Sequence, residues 1–325
     1  METLVNEFWN EKTVLVTGAT GLVGGNLVKK LLDLGSQVVV TSRSCNQKSY
    51  FCSEGLAEKA ILVNCDVKDL LRLRDIIYRY GVSVVFHLAA QTLVTVAKKE
   101  PYETLMTNIA GTINVLESCR NNPGIQAVLL ASSDKAYGSS DSLPYLETCS
   151  LKGEYPYDVS KSCMDLISQS YYKTYQLPLA IARFGNIYGE GDMNFDRIIP
   201  GAIKSGIRDS TLLIRSDGKM IREYLYVKDV VNGYLALAEN IEKIKGEAFN
   251  FTSGEKMSVI DVVKAIGKAM NKIINYKILG TAKCEIKEQY LSSQKVEDAL
   301  GWKCAYTLES ALPNVIDWYR KYLNQ

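Results

Sequence analysis

The sequence predicts an α/β fold: a doubly wound parallel sheet of the Rossmann type with a smaller C-terminal lobe that binds substrate. Strands that are apolar throughout alternate with helical segments over the first 184 residues, which indicates a parallel sheet buried on both faces. A glycine-rich turn follows the first strand and opens a helix. Beyond residue 185, short strands and helices mix. We therefore predict a dinucleotide-binding domain over 1–184 and a substrate-binding lobe over 185–325, with some interleaving of the chain between them.

Each element has its own sequence signal. The first strand, TVLVTG (13–18), is an apolar run that ends in glycine, and the helix NLVKKLLDLG (26–35) has helical spacing and a glycine that can cap it. The remaining strands are the apolar runs QVVVTS (37–42), AILVNCDV (60–67), VSVVFHLAA (82–90), QAVLLASS (126–133) and PLAIARF (178–184). The helices between them cover 68–81, 103–120 and 157–175. Right-handed crossovers join such strands into a doubly wound sheet.

The composition is that of an ordinary globular protein, with 47% hydrophobic and 23% charged residues and a net charge of +2. Because there is no basic block, we expect neither a nucleic-acid nor a membrane partner. The eight cysteines are scattered without a CxxC motif or a Cys/His cluster, so no metal site is predicted. The polar N-terminal segment is unlike a signal peptide, and no apolar run is long enough to span a bilayer. We therefore expect a cytoplasmic protein with free thiols.

The turn TGATGLVGG (17–25) predicts a dinucleotide site. Its glycines allow a tight turn, a close approach of the backbone to a pyrophosphate and close helix–strand packing. The helix that follows directs its first amides at the phosphates. Strand ends that reach the same crevice complete the site. The predicted contacts are Gly18, Thr20, Gly21, Leu22, Val23, Gly24, Val67, Leu88, Ala89 and Ala90.

The end of the second strand selects between the two nicotinamide cofactors. An acid there would bind the 2′-hydroxyl of NAD, whereas an arginine favours the 2′-phosphate of NADP. The chain has Ser42 and Arg43 and no acid, so we predict NADP, with NAD as the alternative; a solvated loop charge is the simpler role for Arg43. Asp66, which ends the third strand, is predicted either to accept from the adenine amino group or to cap the next helix. His87, the single histidine, is expected to be a hydrogen-bonded core residue.

A Y-x-x-x-K pair at the start of a predicted helix supplies candidate catalysts. The four-residue spacing places Tyr157 and Lys161 on one helix face. A phenol is a poor base at its usual pKa of about 10, but a nearby ammonium and an oxidised nicotinamide favour the phenolate. Ser133, at the end of the fifth strand, can bond the same substrate hydroxyl. We therefore predict that these three residues act together on one hydroxyl.

These motifs resemble those of the extended short-chain dehydrogenase/reductases, the NAD-dependent epimerase/dehydratase family. The resemblance spans nearly the whole chain through TGATGLVGG, HLAAQ, TNIAGT, SSDKAYG, YDVSK, RFGNIYG and REYLYVKD. Within the family, the chain is most similar to CDP-glucose 4,6-dehydratases in FWNEKTVLVTG, HLAAQTLV, the Ser-Asp-Lys triplet and GEGDMNFDRIIP. The pair Ser42–Arg43 is similar instead to NADP-using GDP-mannose dehydratases.

The resemblance implies a nucleotide-sugar substrate, a tightly bound and recycled cofactor, and a role in deoxysugar biosynthesis. It places Asn108 in the cofactor pocket, and Asn186 and Arg222 on the sugar diphosphate, where a guanidinium suits a phosphate. Gln91 and Arg197 are further candidates for contact with the substrate.

The resemblance also implies a homodimer. Helices 103–120 and 157–175 carry apolar residues on more than one face, among them Leu166, Ile167, Tyr171 and Tyr172. This pattern is compatible with a helix-bundle dimer, and simple core packing is the alternative.

Asp134 and Lys135, which follow the fifth strand, decide which reaction of the family is predicted. In a 4,6-dehydratase, Tyr157 deprotonates the 4-hydroxyl as C4 is oxidised, a base removes the C5 proton, an acid protonates the departing C6 hydroxyl, and hydride returns to C6. We predict Asp134 as the acid and Lys135 as the base. The simpler alternative is a strand-end turn, with Asp134 on backbone amides and Lys135 in solvent.

Two other functions compete with this prediction. A nucleotide-sugar 4-epimerase shares the fold and Ser133, Tyr157 and Lys161, but it needs no elimination at C6, so small neutral residues would suffice at 134 and 135. A non-catalytic NADP-binding sensor would be free to lose the catalytic groups, all of which are present. The charged pair therefore favours the dehydratase.

Overall fold

Strands and helices alternate from Thr13 to Phe184 and then give way to shorter elements. The structure is a computed structural model that describes residues 7–10, 12–44, 46–140, 142–281 and 287–324. The strands are β1 Thr13–Thr17, β2 Gln37–Ser42, β3 Ile61–Asn64, β4 Val84–His87, β5 Ala127–Ala131, β6 Leu179–Phe184, β7 Asn186–Tyr188, β8 Leu212–Ile214, β9 Ile221–Tyr226, β10 Ala248–Phe251, β11 Lys256–Ser258, β12 Tyr276–Ile278 and β13 Glu288–Gln289. The helices are α1 Leu22–Asp33, α2 Tyr50–Ser53, α3 Leu70–Arg79, α4 Val94–Lys99, α5 Pro101–Leu105, α6 Gly111–Arg120, α7 Pro156–Tyr175, α8 Ile198–Ile207, α9 Val227–Glu239, α10 Ile241–Ile244, α11 Val259–Met270, α12 Gln294–Leu300 and α13 Leu308–Leu323.

The described strands include a seven-stranded parallel sheet in the order β10–β6–β5–β4–β1–β2–β3. The strand order reverses at β1, which pairs with β2 on one side (Thr13 beside Gln37) and with β4 on the other (Val14 beside Val84). A ligand crevice opens at the carboxyl ends of the strands at such a switch point. The predicted doubly wound parallel sheet is thus confirmed.

Both faces of this sheet are covered. Consecutive residues of a strand point to opposite faces; in β1, Val14 and Val16 belong to one hydrophobic cluster whereas Leu15 belongs to another. All residues of β6, including Arg183, are buried. Burial on both faces explains why these strands are apolar runs rather than alternating patterns.

One strand of the large sheet comes from the range predicted for the smaller lobe. β10 pairs in parallel with β6, with Ala248 beside Ile181, so residues 185–325 contribute to both the sheet and the lobe. The lobe has its own core, which includes Ile199 and Val262. Around it, β9 pairs with β7, β11 and β13, and β8 pairs with β12.

Three elements near the crevice differ from the prediction. The first helix begins earlier, at Leu22, because the glycine turn leads directly into it. The helix predicted over 103–120 is interrupted by a π-helical turn, Met106–Ala110, between α5 and α6. The fifth strand ends at Ala131, and a 3₁₀ turn over Asp134–Tyr137 follows.

The described cysteines are not all free thiols. Cys65, Cys119, Cys149, Cys163 and Cys304 are free thiols, but Cys52 is disulfide-bonded, so the expectation of free thiols is wrong at that position. Within the described ranges, no group of Cys, His, Asp and Glu side chains is arranged to hold a metal ion. In the same ranges, no helix is long and apolar enough to cross a bilayer.

Candidate active site

A cavity of about 1570 Å³ opens at the carboxyl ends of β1, β4 and β5, and residues of the smaller lobe line its far side. Most of the predicted site residues meet there. Those that line the cavity are Gly18, Thr20, Gly21, Leu22, Val23, Gly24, Ser42, Arg43, Asp66, Val67, Leu88, Ala89, Ala90, Ser133, Asp134, Lys135, Tyr157, Asn186, Arg197 and Arg222. Gln91, Asn108 and Lys161 lie outside its lining.

The glycine turn is as close to its neighbours as a phosphate cradle requires. Gly18 has a φ of +77°, and a Cβ at that position would lie 2.7 Å from the amide nitrogen of Ala89. A Cβ at Gly24 would lie 2.3 Å from the carbonyl oxygen of Gly18. Gly21 is the N-cap of α1 and has no side chain to occupy the first amides of the helix. The turn therefore fits a bound dinucleotide, whose pyrophosphate these amides would hold.

Arg43 lies at the end of β2 among charges of both signs. Its guanidinium is 3.8 Å from the carboxylate of Asp66 and 3.9 Å from that of Glu103. Lys68 forms the shorter contact with Glu103, at 2.6 Å. The Arg43 side chain stays 63% exposed, so its ion pairs are weak ones that a stronger anion can replace.

Asp66 does not cap the helix that follows it. Its Oδ1 accepts from the backbone amide of Lys68 at 2.9 Å, which closes a tight turn. The N-cap of α3 is Asp69, whose side chain accepts from the amide of Arg72 at 3.0 Å. The capping alternative for Asp66 is wrong because the chain needs this turn before the helix can begin.

His87 is a core residue, as predicted. The Thr112 hydroxyl donates to the carbonyl of Asn108 at 2.7 Å, so it accepts from Nε2 of His87 at 3.0 Å. Nδ1 of His87 then accepts from the Thr17 hydroxyl at 2.9 Å. Burial lowers the pKa of His87 to about 3, and the charge of Lys161 adds to that effect. The imidazole is therefore neutral, and both of its nitrogens have partners.

Asn108 and Gln91, which lie outside the cavity lining, are hydrogen-bonded to each other. The Asn108 side chain accepts from the Gln91 amide at 2.7 Å and donates to the Gln91 carbonyl at 3.1 Å. It also donates to the Ser160 hydroxyl at 2.8 Å. The side chain of Gln91 accepts from the amide of Leu93. Both residues thus join the loop after β4 to α7, and their predicted contacts with ligands stay predictions.

Ser133, Tyr157 and Lys161 come together at the end of β5. The Tyr157 hydroxyl is enclosed and forms a hydrogen bond with Ser133; burial raises the pKa of Tyr157 above its usual range, and this hydrogen bond opposes the rise. Lys161 Nζ donates to the carbonyl of Ala131 at 2.6 Å and lies 6.0 Å from the centre of the Tyr157 ring. Burial lowers the pKa of Lys161 to about 8, and the charge of Asp165 opposes this.

A buried ion pair supports this group from behind. Asp165 lies one helical turn after Lys161 and accepts from Arg183 twice, at 2.8 Å from Nε and 2.9 Å from Nη2. Both side chains are almost fully buried. Arg183 also donates to the Tyr137 hydroxyl at 2.7 Å. The pair therefore ties α7, which carries Tyr157 and Lys161, to β6.

On the turn that follows β5, Asp134 is buried and Lys135 is half-buried. Asp134 is 5% exposed, and its Oδ1 accepts from the Ser133 hydroxyl at 2.9 Å. Lys135 Nζ donates to Oε1 of Gln289, a buried residue of the smaller lobe. The alternative that put Asp134 on backbone amides and Lys135 in solvent is wrong, because the lobe covers this turn.

The cationic residues of the smaller lobe are held at the cavity wall. Arg197 donates to Asp192 at 2.7 Å and to the carbonyl of Ile187 at 2.6 Å. Arg222 donates to the carbonyls of Ile221 and Lys287, at 2.8 and 3.2 Å. Both arginines line the same cavity as the glycine turn, and their predicted contacts with a sugar diphosphate stay predictions.

Two polar residues of the site had no motif to mark them. Asp158, next to Tyr157, is buried at the cavity; burial raises its pKa, the charge of Lys135 opposes the rise, and that of Asp134 adds to it. An acid beside a catalytic tyrosine was a usable signal. Gln289 follows from no sequence pattern, because its place depends on how the lobe packs.

Comparison with known proteins agrees with this geometry. The family model described as the NAD dependent epimerase/dehydratase family matches residues 14–251. The chain is 28% identical to the CDP-glucose 4,6-dehydratase of Salmonella typhimurium, over 97% of this chain and 92% of the relative. A solved UDP-glucose 4-epimerase from Thermotoga maritima, with UDP-glucose, is 27% identical, with a TM-score of 0.86 over 96% of this chain and 99% of the other.

A solved dTDP-glucose 4,6-dehydratase from Bacillus anthracis, in complex with NAD, is also similar. It is 25% identical, with a TM-score of 0.82 over 95% of this chain and 97% of the other. Dehydratases and epimerases are thus matched about equally well, over nearly their whole length. Together with the glycine turn and the Ser133–Tyr157–Lys161 group, the match over residues 14–251 shows that the chain belongs to the NAD-dependent epimerase/dehydratase family.

Proposed function

We propose that this protein is a nucleotide-sugar 4,6-dehydratase, a lyase that converts an NDP-hexose into an NDP-4-keto-6-deoxyhexose and water. The observation that carries the proposal is a buried Asp134 and a half-buried Lys135 beside Ser133 and Tyr157 at the cavity. Elimination needs an acid and a base beyond the tyrosine. The similarity to the Salmonella enzyme supports the same reaction, with a CDP-glucose-like or GDP-mannose-like substrate.

In the oxidation step, Tyr157 removes the proton of the sugar 4-hydroxyl while Ser133 holds the same oxygen. A hydrogen bond between the hydroxyl groups of Ser133 and Tyr157 aligns the two side chains for this step. With a pKa lowered only to about 8, Lys161 is an ammonium at neutral pH, and its positive charge favours the phenolate. A bound nicotinamide would supply the hydride acceptor for C4 and the hydride donor for C6.

In the elimination step, the 4-ketone acidifies the C5 hydrogen. Asp134 and Lys135 then act as the acid and the base of the elimination. We assign removal of the C5 proton to Lys135 and protonation of the departing C6 hydroxyl to Asp134. The assignment requires a neutral carboxylic acid at Asp134 and a neutral amine at Lys135 when elimination begins.

We further propose that the cofactor is NADP, tightly bound and recycled in each turnover, with NAD as the alternative. Arg43 supports NADP because its long contacts with Asp66 and Glu103 can be replaced by a 2′-phosphate, which a guanidinium binds through two hydrogen bonds. The NAD-bound relative from Bacillus anthracis supports the alternative.

The test is the binding of both cofactors to wild-type protein and to Arg43→Ala. We expect the variant to lose about tenfold or more in affinity for NADP alone. If NADP does not bind more tightly than NAD, and Arg43→Ala changes neither, the cofactor is NAD.

A nucleotide-sugar 4-epimerase is the second candidate, because the UDP-glucose 4-epimerase of Thermotoga maritima is similar over nearly the whole chain. An epimerase oxidises C4 and returns hydride to the same carbon. It therefore needs no acid at C6 and exchanges no proton at C5. In an epimerase, Asp134 and Lys135 would have no role in the reaction.

The deciding experiment incubates the protein with CDP-glucose, GDP-mannose, UDP-glucose and dTDP-glucose in deuterated water. A dehydratase gives a product lighter by one water, with deuterium at C5; an epimerase gives an isomer of unchanged mass without it. Asp134→Asn should still reduce the bound cofactor but release no 4-keto-6-deoxy product. Normal turnover by Asp134→Asn would refute the dehydratase, and cofactor binding without conversion of any sugar would support a sensor.

We also propose that the protein is a homodimer. Tyr102 on α5 and Leu166 on α7 are 73% and 54% exposed, which is unusual for large apolar side chains on adjacent helices. Of the other residues predicted for this face, Ile167, Tyr171 and Tyr172 pack partly against the core of the sheet, so core packing accounts for them. A second copy of the chain, docked along α5 and α7, would cover Tyr102 and Leu166.

A further inference from the structure

Lys135 is held by a residue from a distant part of the chain. Its Nζ donates to Oε1 of Gln289, 154 positions along the sequence. Gln289 lies on β13, where it pairs with Arg222 of β9, and its side chain is 2% exposed. The smaller lobe thus reaches into the crevice and contacts one member of the proposed acid–base pair directly.

The two residues that follow Gln289 are hydrogen-bonded to two different parts of the chain. The amide of Tyr145 donates to the carbonyl of Tyr290 at 3.0 Å. The amide of Leu291 donates to Oε2 of Glu223 at 2.9 Å, and Glu223 is itself buried. Because a side chain is only as well placed as the backbone that carries it, this anchoring fixes the position from which Gln289 meets Lys135.

The amide of Gln289 has a second, unused end. Nε2 of Gln289 is buried and has no hydrogen-bond partner among the described residues. A half turn of the amide exchanges its oxygen and its nitrogen. With the oxygen forward, it accepts from the Lys135 ammonium; with the nitrogen forward, it donates to the lone pair of the neutral amine. An uncharged amide can therefore pair with Lys135 before and after the lysine takes a proton.

We propose that Gln289 is a positioning residue for Lys135, whose amide holds the lysine nitrogen at the cavity in both proton states and so allows it to exchange a proton during elimination. This rests on the proposed dehydratase function. A glutamate at 289 would stabilise only the ammonium, and an aliphatic residue would hold neither state.

The charges around the proposed pair set the direction of the expected effects. They are Asp134 on the same turn, Tyr157 and Asp158 on α7, and Arg222 and Glu223 on β9. An added carboxylate in Gln289→Glu would favour the ammonium form of Lys135 over the neutral amine, typically by roughly 1–3 pH units for an opposite charge in contact.

The first test measures the proton state of Lys135 without any substrate. The holoprotein is labelled with an acylating reagent, which reacts with neutral amines, and the labelling of Lys135 is read by peptide mass spectrometry as a function of pH. We expect Gln289→Glu to label Lys135 about tenfold or more slowly than wild type at the same pH. The matched control is Gln126→Glu, because the exposed Gln126 also accepts from a lysine, Lys12, at 2.8 Å, but at the opposite end of the sheet. Equal labelling of Lys135 in wild type and Gln289→Glu would overturn the proposal.

The second test separates the two half-reactions. Reduction of the bound cofactor by substrate uses Tyr157 and Lys161, so its retention shows that a variant is folded. Gln289→Leu should keep this reduction but release product about 10–100-fold more slowly, as misplaced catalytic groups do. Gln289→Glu should move the acid side of the pH profile for product release to higher pH. Unchanged product release in both variants would refute the role of Gln289. A wild-type protein that releases no water from any nucleotide sugar would instead refute the proposed dehydratase function. The labelling experiment would then still decide whether Gln289 controls the proton state of Lys135.

Discussion

Replacing Asp165 by asparagine is expected to destabilise the protein by about 3–5 kcal/mol. The substitution keeps the shape of the side chain but removes its charge. Arg183, which is 2% exposed, loses the counter-ion that accepts from its Nε and Nη2 at 2.8 and 2.9 Å. An asparagine can accept one of these bonds, but its amino group then faces a guanidinium that can only donate. Its other partners, the Tyr137 hydroxyl at 2.7 Å and the Glu147 carbonyl at 3.5 Å, carry no compensating charge.

The assay is unfolding in urea, where a loss of that size lowers the midpoint by about 1 M or more. The matched control is Glu309→Gln, which removes one partner of the exposed Lys268–Glu309 pair. The control should leave the midpoint unchanged, because exposed pairs contribute little. A loss below about 1 kcal/mol in Asp165→Asn, within the range of exposed pairs, would refute the reasoning that burial makes the Asp165–Arg183 pair indispensable.

The same variant has a pH readout that a purely structural role would not move. The Asp165 charge keeps the pKa of Lys161 from falling further than about 8, so its removal lowers that pKa. Reduction of the bound cofactor by substrate, which needs the Lys161 ammonium, should therefore decline at a lower pH in Asp165→Asn than in wild type. An unshifted decline would mean that another group sets it.

Three further predictions concern the cradle, the active-site lysine and the dimer. Gly18→Ala should lose its bound cofactor and about 1–2 kcal/mol of stability, because a Cβ would lie 2.7 Å from the amide nitrogen of Ala89. Cofactor content and thermal unfolding measure the two effects. The control, Gly55→Ala, should keep its cofactor, because Gly55 also has a positive φ of +67° but has no atom within 4 Å of the position that a Cβ would take. Lys161→Met should be more stable than wild type by on the order of 1–3 kcal/mol at neutral pH. The lowered pKa of Lys161 means that the folded state disfavours the charged lysine, so removing the amine is stabilising. In urea unfolding, the gain in midpoint should be complete below about pH 8 and should disappear as the pH approaches 10.5. Leu166→Glu should sediment as a folded monomer, and a persistent dimer would contradict the proposed interface.

The candidate site could be predicted from the sequence where reactive residue types occur at the spacing of a single helix or at the end of a single strand. Tyr157 and Lys161 lie one turn apart on a long helix, and Ser133 follows a strand that is apolar throughout, so their meeting requires only a parallel sheet with its carboxyl ends in register. The glycine turn is equally local. Its conformation and its contacts with Gly24 depend on residues within one turn of the chain.

The rest depended on packing that no short pattern encodes. Asp66 and Asp69 are both suitable caps, and only the turn between them decides which one begins α3. Gln289 belongs to a strand of two residues, which is too short to have a period. Its contact with Lys135 exists because the smaller lobe closes on the sheet, and that closure is a property of the whole chain.

The return of the chain to the sheet at β10 determines where the protein can be divided. A fragment that ended at Phe184 would leave β6 as an open edge, with a row of unpaired backbone groups on a strand that is buried throughout in the intact protein. Such an edge is a template for pairing between molecules, and the fragment would be expected to aggregate. The part of the chain up to Phe184 is therefore not a separable module. The smallest self-sufficient piece extends at least to Phe251, so during synthesis the sheet cannot be completed until about half of residues 185–325 has left the ribosome.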